Sequence, residues 1–566
     1  MLRLKKKSRH DLPRMSSNAT RGQAVLVTAL MIILFLAGLM GASLLSKTTF
    51  GVGVEVLQKA QAKYIARGAA NWYLNTLKLN HDLTTAIDTN GNFARGTYEV
   101  TITNKQIHRC DIRCEGKVTG FNGQEYTHTI EFTARKLPSI FSSFAFYLGG
   151  NVSTLQLYND VNPTTINGDV WANCAVNLLL NCRINGTLYY RNGSGPPTGS
   201  GVVHRSRPVT NPPATMPILD ANNNIYETMM DGYDTQDIVQ YNQDIANAAS
   251  LPIQADLITS DLHLTPANSP YVCQNCNLKG SPSDPNIQVT GSGQIISLGD
   301  MKVGADFVSL IPLVGSTIDI IPNPGGTIEL LSGAGIQVGS YIGGVAHSEK
   351  GTVFYSTSGD LIIFQPPGVP SPWINEFKFT TFLAQNKISF WAGEAHNCRF
   401  YVSGNTAEML GVRYDGSNIH NSILLSRRLM NIYESANIYD SVLYLDDAGD
   451  APNSLAISDA GTDVSGLVIS FGKDSGLGGL RILFQAKVSG IVYHYAPVGT
   501  TQFYSSHDLR GSFVTRQFTQ NWFVNNSLWF STITHDLPAI YNDNIPDGTR
   551  VFEHYISVQR GTWREY

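Results

Sequence analysis

The chain has 566 residues, 42% of them apolar and 15% charged, with 52 glycines and a net charge of −4. The length favours several domains, and low charge with abundant glycine favours a β-rich, turn-rich body over a helical one. Residues 1–22 carry seven Lys/Arg against Asp11 alone, a charge of +6, which leaves the remainder near −10 and argues against a nucleic-acid surface.

No residue from Gly22 to Leu45 is charged. At roughly 1.5 Å per residue, a helix there is about as long as a bilayer core is thick. Arg3, Lys5, Lys6, Lys7, Arg9, Arg14 and Arg21 precede it. The pattern predicts a basic cytoplasmic leader over 1–22, a single transmembrane helix over 23–46 in the inner membrane, and a body outside the cytoplasm. Three fates compete for this segment. A cleaved signal peptide has an apolar region of roughly 7–15 residues; Gly41-Ala42-Ser43 could serve as its site, but the run before it is too long. The other two are an uncleaved anchor and cleavage between Gly22 and Gln23 with the helix retained. Spacing does not separate these two.

A helical pattern resumes after Lys47. Val54, Leu57, Gln61, Tyr64, Ile65, Gly68, Ala69, Trp72 and Thr76 share one face, with Glu55, Lys59, Lys63, Arg67 and Asn71 opposite. Gly51 and Gly53 interrupt the join. Gln23 to Leu79 reads as one helix of roughly 85 Å by the standard rise. Tyr98–Asn104, Asp111–Thr119 and Tyr126–Arg135 then alternate polar and apolar, with the hairpin signal Asn122-Gly123 between the last two. Residues 47–137 are therefore expected to be an amphipathic helix covered by an antiparallel meander, an α+β pilin-like unit.

The segment Arg21-Gly22-Gln23-Ala24-Val25-Leu26-Val27 resembles the start of PilX-type type IV pilus assembly proteins. Ala62-Lys63-Tyr64-Ile65-Ala66-Arg67-Gly68-Ala69 resembles that family's second signature, an aromatic followed by Ala-Glu-Ala-Gly, with Arg67 where Glu is usual. Val27 stands where major pilins carry a Glu, which PilX-type proteins commonly lack. The resemblance covers residues 15–137, roughly a quarter of the chain. It implies a structural, non-enzymatic minor pilin without a cofactor. A prepilin peptidase would cleave the leader and N-methylation would follow, at Gly22 and Gln23. Its partners would be other pilins and the pilus assembly machinery.

After Pro138 the rhythm changes. Ile166-Asn-Gly168-Asp-Val170 recurs as Ile184-Asn-Gly186-Thr-Leu188, and related units are centred on Gly466, Gly490 and Gly511. Aliphatics with Gly and Asn, repeating at a period of roughly 18–24 residues, are expected in a right-handed parallel β-helix, a β-sandwich being the rival. The first coils fall over 138–201 and the main solenoid over 262–566, separated by a Pro-rich and helical excursion over 202–261.

Six of seven cysteines form short-range pairs, Cys110/Cys114, Cys174/Cys182 and Cys273/Cys276, all disulfide candidates in an exported chain. Cys110–Cys114 requires a turn between them. Cys273-x-x-Cys276 lacks a second pair or a histidine at ligand spacing, so no metal site is expected. Asp446, Asp447 and Asp450 sit with turn residues, and Asp231, Asp234 and Asp237 lack calcium-loop order. Tyr189, Tyr190, Tyr493, Tyr495, Tyr504, Trp522 and Trp529 are candidates for a surface or glycan ligand. The alternative to a pilin is a membrane-anchored β-helix adhesin or polysaccharide-acting enzyme.

Overall fold

A computed structural model of the chain describes residues 28–32, 47–80 and most of 83–210, 235–304 and 316–566. They divide into two compact units, Met1–Ala134 with Val558–Tyr566, and Arg135–Ser557. No helix among the described residues is long and apolar enough to cross a membrane. The expected span 23–46 lies outside them except for residues 28–32.

The first unit holds helix α1 (Lys47–Asn80) and strands β1 (Thr89–Phe93), β2 (Gly96–Thr103), β3 (Arg109–Thr119) and β4 (Glu125–Lys136), in that order across one sheet. The first three pair antiparallel. Strand β3 alternates as a half-buried strand does: Cys110, Ile112, Cys114, Gly116 and Val118 point inward. Gly123 closes the β3–β4 turn with φ +77°, and its N–H donates to the Gly120 carbonyl at 2.9 Å.

The buried stripe of α1 is Gln58, Ala62, Ile65, Ala66, Ala69, Ala70, Tyr73 and Leu77. This corrects the expected face by about one position. Leu57, Tyr64 and Trp72, read as core, are 50%, 69% and 49% exposed. The cause lies on β3. A Cβ at Gly116 would come within 2.4 Å of the Ala62 carbonyl and 2.6 Å of the Ala66 nitrogen. The helix backbone rests directly on the strand, so small residues must occupy the contact and large ones turn outward.

A short strand, Arg564–Glu565, completes this unit. It pairs antiparallel with β4, Ile130 opposite Glu565 and Glu131 opposite Arg564. Thr129 and Tyr566 exchange backbone hydrogen bonds at 3.1 and 2.9 Å. Trp563 stacks on Phe132 with ring centres 5.1 Å apart.

The second unit is a parallel β-solenoid with three strand-bearing faces per coil. Face one runs through Asn286–Gly291, Thr317–Pro322, Val345–Ser348, Glu376–Lys378, Gly393–His396 and Ser417–His420, each parallel to the next. Face two stacks Gly293–Ser297, Ile328–Ser332, Thr352–Ser356, Thr381–Ala384, Arg399–Val402 and Ile423–Ser426 in the same way. Face three is a 15-stranded sheet. Coil length is not constant: the coil that sets Glu394 beside Glu376 is short, whereas the one that sets Asp319 beside Gln288 is long. Side chains pointing inward form the core, in which Phe354, Phe382 and Phe400 stack at 5.3 and 4.9 Å. Buried corner serines satisfy backbone: Ser332 and Ser356 donate to the carbonyls of Gly335 and Gly359 at 3.0 and 2.8 Å.

In later coils faces one and two are single bent strands, such as Asp463–Phe471, Lys487–Tyr495 and His507–Thr515. Their bends fall at Gly466, Gly490 and Gly511, with φ of 130°, 114° and 137°. A Cβ on Gly490 would sit 2.0 Å from the Gly466 carbonyl oxygen, and one on Gly511 1.8 Å from that of Gly490. The recurring glycine motif is thus a column in which each coil lies on the bare backbone of its neighbour.

Chain order and stacking order differ. Phe146–Leu148 lies between His507–Thr515 and Val170–Ala172. Thr165–Asn167 lies between Ser531–Thr534 and Arg183–Arg191. Along the axis the coils therefore run from residue 257 to 534 and continue from 146 to 209. The chain between Val209 and Leu257 must travel from one end of the stack to the other, about 65 Å at the usual strand spacing. Helix α2 (Thr235–Ala248) belongs to this return path. Tyr241 packs on Tyr355 with centroids 5.4 Å apart, and Tyr355 donates its hydroxyl to Asn242 at 2.9 Å.

Candidate functional site

Outward positions on face one have no core to fill, and stacking places them in columns about 4.8 Å apart per coil. One column holds Asp319, His347, Glu376, Glu394, Asn418, Asn437, Asp463, Lys487 and Asp508 in unbroken register. The next holds Lys378, His396, His420 and Tyr439. Together they make a flat polar strip on the outside of the solenoid.

Several of the strip's charges pair with near neighbours. His347 Nδ1 lies 3.1 Å from Asp319, Lys378 Nζ is 2.8 Å from Glu376, and Arg510 Nε is 3.0 Å from Asp508. The Lys378 hydrogen bond holds the Glu376 carboxyl below its ordinary range. His396 and His420 stack face to face, 5.0 Å apart and 7° from parallel. Burial, then the neighbouring His396, lowers the His420 pKa, because two stacked imidazoles resist carrying charge together. This surface can accept an extended polar chain along several coils. The ionised Glu376 carboxylate suits ion pairing rather than proton donation, whereas burial raises the Asp463 pKa.

A second acidic group lies under α2. Gln294 Nε2 donates both to Asp244 at 2.8 Å and to Glu329 at 2.9 Å. Tyr241 approaches Glu329 at 3.4 Å. Burial, reinforced by Asp244 and Asp237, raises the Glu329 pKa. Asp237 stands in the first turn of α2. Among the described residues no group of three or more His, Cys, Asp or Glu could hold a metal ion.

The residues singled out from sequence fare differently. Gly22 and Gln23 lie outside the described residues, as do Asp231, Asp234, Asp446, Asp447 and Asp450. Cys273 and Cys276 form a disulfide with Cα atoms 5.3 Å apart. Cys110, Cys114, Cys174 and Cys182 are buried thiols, as is Cys398. For Cys110 and Cys114 the correction has a simple reason: β3 runs straight through both, and four strand residues span about 13 Å. Cys174 and Cys182 each fill a core position, and burial raises the thiol pKa values to about 12 and about 11. Tyr190 and Tyr493 are buried, and Tyr189 and Tyr495 pack against the outer apolar cluster. The side chains of Tyr504, Trp522 and Trp529 lie outside the described residues. The His396–His420 pair is separated by a whole coil of chain and has no local sequence signal; coil-on-coil register creates it.

No protein-family model matches the chain, and no curated protein does. A solved structure, the crystal structure of the competence-associated pilin ComZ from Thermus thermophilus, aligns over 90% of this chain and 97% of that chain, with 10% identity and a TM-score of 0.19. A likeness of that size identifies neither fold nor function.

Proposed function

We propose that the chain is a structural subunit of a type IV pilus or related filament, a PilX-like minor pilin that displays a right-handed β-solenoid outside the cytoplasm. One observation carries this reading. Helix α1 follows the uncharged Gly22–Leu45 stretch in sequence and is buried along a stripe of small residues against a sheet. A bare membrane anchor needs no such packed continuation. Parallel crossovers favour the right hand in about 98% of cases.

The proposed mechanism begins with cleavage between Gly22 and Gln23 by a prepilin peptidase. The apolar helix then leaves the inner membrane by entering a bundle of like helices of other pilins. Reburying some twenty apolar side chains at about 1.5–3 kcal/mol each offsets extraction. Val27 removes the charge that would anchor a neighbouring subunit's N-terminus, which suits a subunit present in few copies. Shearing filaments from cells and probing the sheared fraction tests this. Recovery with the filaments supports the proposal, and confinement to membranes overturns it.

The polar strip on face one favours a second reading, a tethered adhesin or polysaccharide-acting protein with an uncleaved anchor. Depolymerisation of acidic glycans by the purified chain would favour it over the first.

A further inference from the structure

The corner between faces one and two passes through the left-handed backbone region on four successive coils, at Phe379 (φ 49°), Asn397 (55°), Asn421 (48°) and Asp440 (52°). The N–H groups of the first three donate to the carbonyls of His396, His420 and Tyr439 on the next coil, at 2.9, 3.0 and 3.0 Å. Asn and Asp tolerate this conformation; a bulky aromatic does not. Yet Phe379 occupies it with 52% of its surface exposed. The residue neither suits its backbone nor hides its ring. A strained position that holds an aromatic in solvent points to recognition rather than to folding.

The ring borders a groove of about 690 Å³ whose lining includes Asn323, Glu349, Lys350, Asn397 and Arg399. That volume is typical of small-molecule sites. The walls offer one apolar plate, two amides, and two cations against one carboxylate, on a chain that is acidic overall. Lys350 makes no ion pair among the described residues. A sugar ring has an apolar C–H face for the plate and hydroxyls for the amides, and an acidic sugar adds a carboxylate for the cations.

We propose that this groove binds an oligosaccharide bearing carboxylate groups, with one sugar ring stacked on Phe379 and a carboxylate held by Lys350 and Arg399. An acidic peptide shares the charge but not the rigid apolar face. The site goes beyond the filament reading and does not depend on it, because binding requires no assembly.

Calorimetric titration of the full chain in detergent micelles with trigalacturonate tests the proposal, with cellotriose and hexaglutamate as comparators. The decisive variant is Phe379→Asn, which installs the residue type that the next two coils use. It should melt no lower than the parent and bind trigalacturonate at least about tenfold more weakly. Phe379→Trp should retain binding, and Lys350→Glu should weaken it. The proposal is overturned if trigalacturonate shows no saturable binding up to about 10 mM, if Phe379→Asn binds as the parent does, or if cellotriose or hexaglutamate binds more tightly.

Discussion

Arg67 grips Glu565 from the far end of the chain, its Nε and a terminal nitrogen each 2.9 Å from a carboxylate oxygen. Lys63 adds a contact at 2.8 Å, and Trp563 Nε1 donates to the same carboxylate at 3.1 Å. The Lys63 and Trp563 hydrogen bonds, with Arg67, hold the Glu565 carboxyl at about 2. Arg67 therefore has a structural role in this chain: it clamps the Arg564–Glu565 strand beside β4. The pair is partly exposed, so Arg67→Glu should cost about 1 kcal/mol or somewhat more, with like charges replacing a bidentate pair. Hydrogen exchange should show faster opening of Thr129 and Tyr566, and Arg67→Glu with Glu565→Arg should restore protection. Because the folded pKa is depressed, the clamp is complete above about pH 4.5 and is lost as pH falls through about 2.

Gly116 sets the helix–sheet distance. Gly116→Val forces α1 away from β3 and should destabilise the first unit by about 1–3 kcal/mol. Gly123→Ala has open space around it and should cost only the left-handed backbone penalty of about 1 kcal/mol. Thermal melts of the two variants compare directly.

Glu329 gives α2 a pH-dependent hold on the solenoid. Its folded pKa is raised, so its contribution is full below the unfolded carboxyl value and is lost as pH rises through the folded one. Amides of Thr235–Ala248 should show larger protection factors, each taken relative to the intrinsic exchange rate at that pH, at pH 4.5 than at pH 8. Glu329→Gln should remove most of that difference; an unchanged difference would place its origin elsewhere.

His494 carries the opposite sign. Its imidazole is buried between Ser470 and Thr515 of adjacent coils, and burial lowers its pKa to about 4. Stability from keeping it neutral is present above about pH 6.5 and declines as pH falls toward 4, by about 3 kcal/mol. Acid unfolding of His494→Leu should begin at lower pH than that of the parent.

Phe146 and Phe513 stack at 5.3 Å across the seam where the last coils meet the first. Phe513→Ala should cost about 3–5 kcal/mol. It should also release protection in both Phe146–Leu148 and Val170–Ala172, because those coils hang on the seam. Phe354→Ala, far from the seam in stacking order, should leave them protected.

The glycine motifs at 168, 186, 466, 490 and 511 were legible as a repeat because a neighbouring coil leaves no room for a side chain there, through its backbone at the last four and through the Cβ atoms of His535 and Ala145 at Gly168. The order in which the coils stack was not, since it depends on a seam that joins residues as distant in sequence as Phe146 and Phe513. On α1 the large residues Leu57, Tyr64 and Trp72 suggested the core, whereas tight contact with Gly116 selected Ala62 and Ala66 instead. The paired imidazoles and Phe379 gave no signal, because their significance comes from neighbours one coil away.

The filament reading is tested most directly by the N-terminal residue of the mature protein, determined by mass spectrometry on material from its native membrane. A mature chain that starts at Gln23 with an N-methyl group is expected. A start at Met1, or near Leu44, would contradict it.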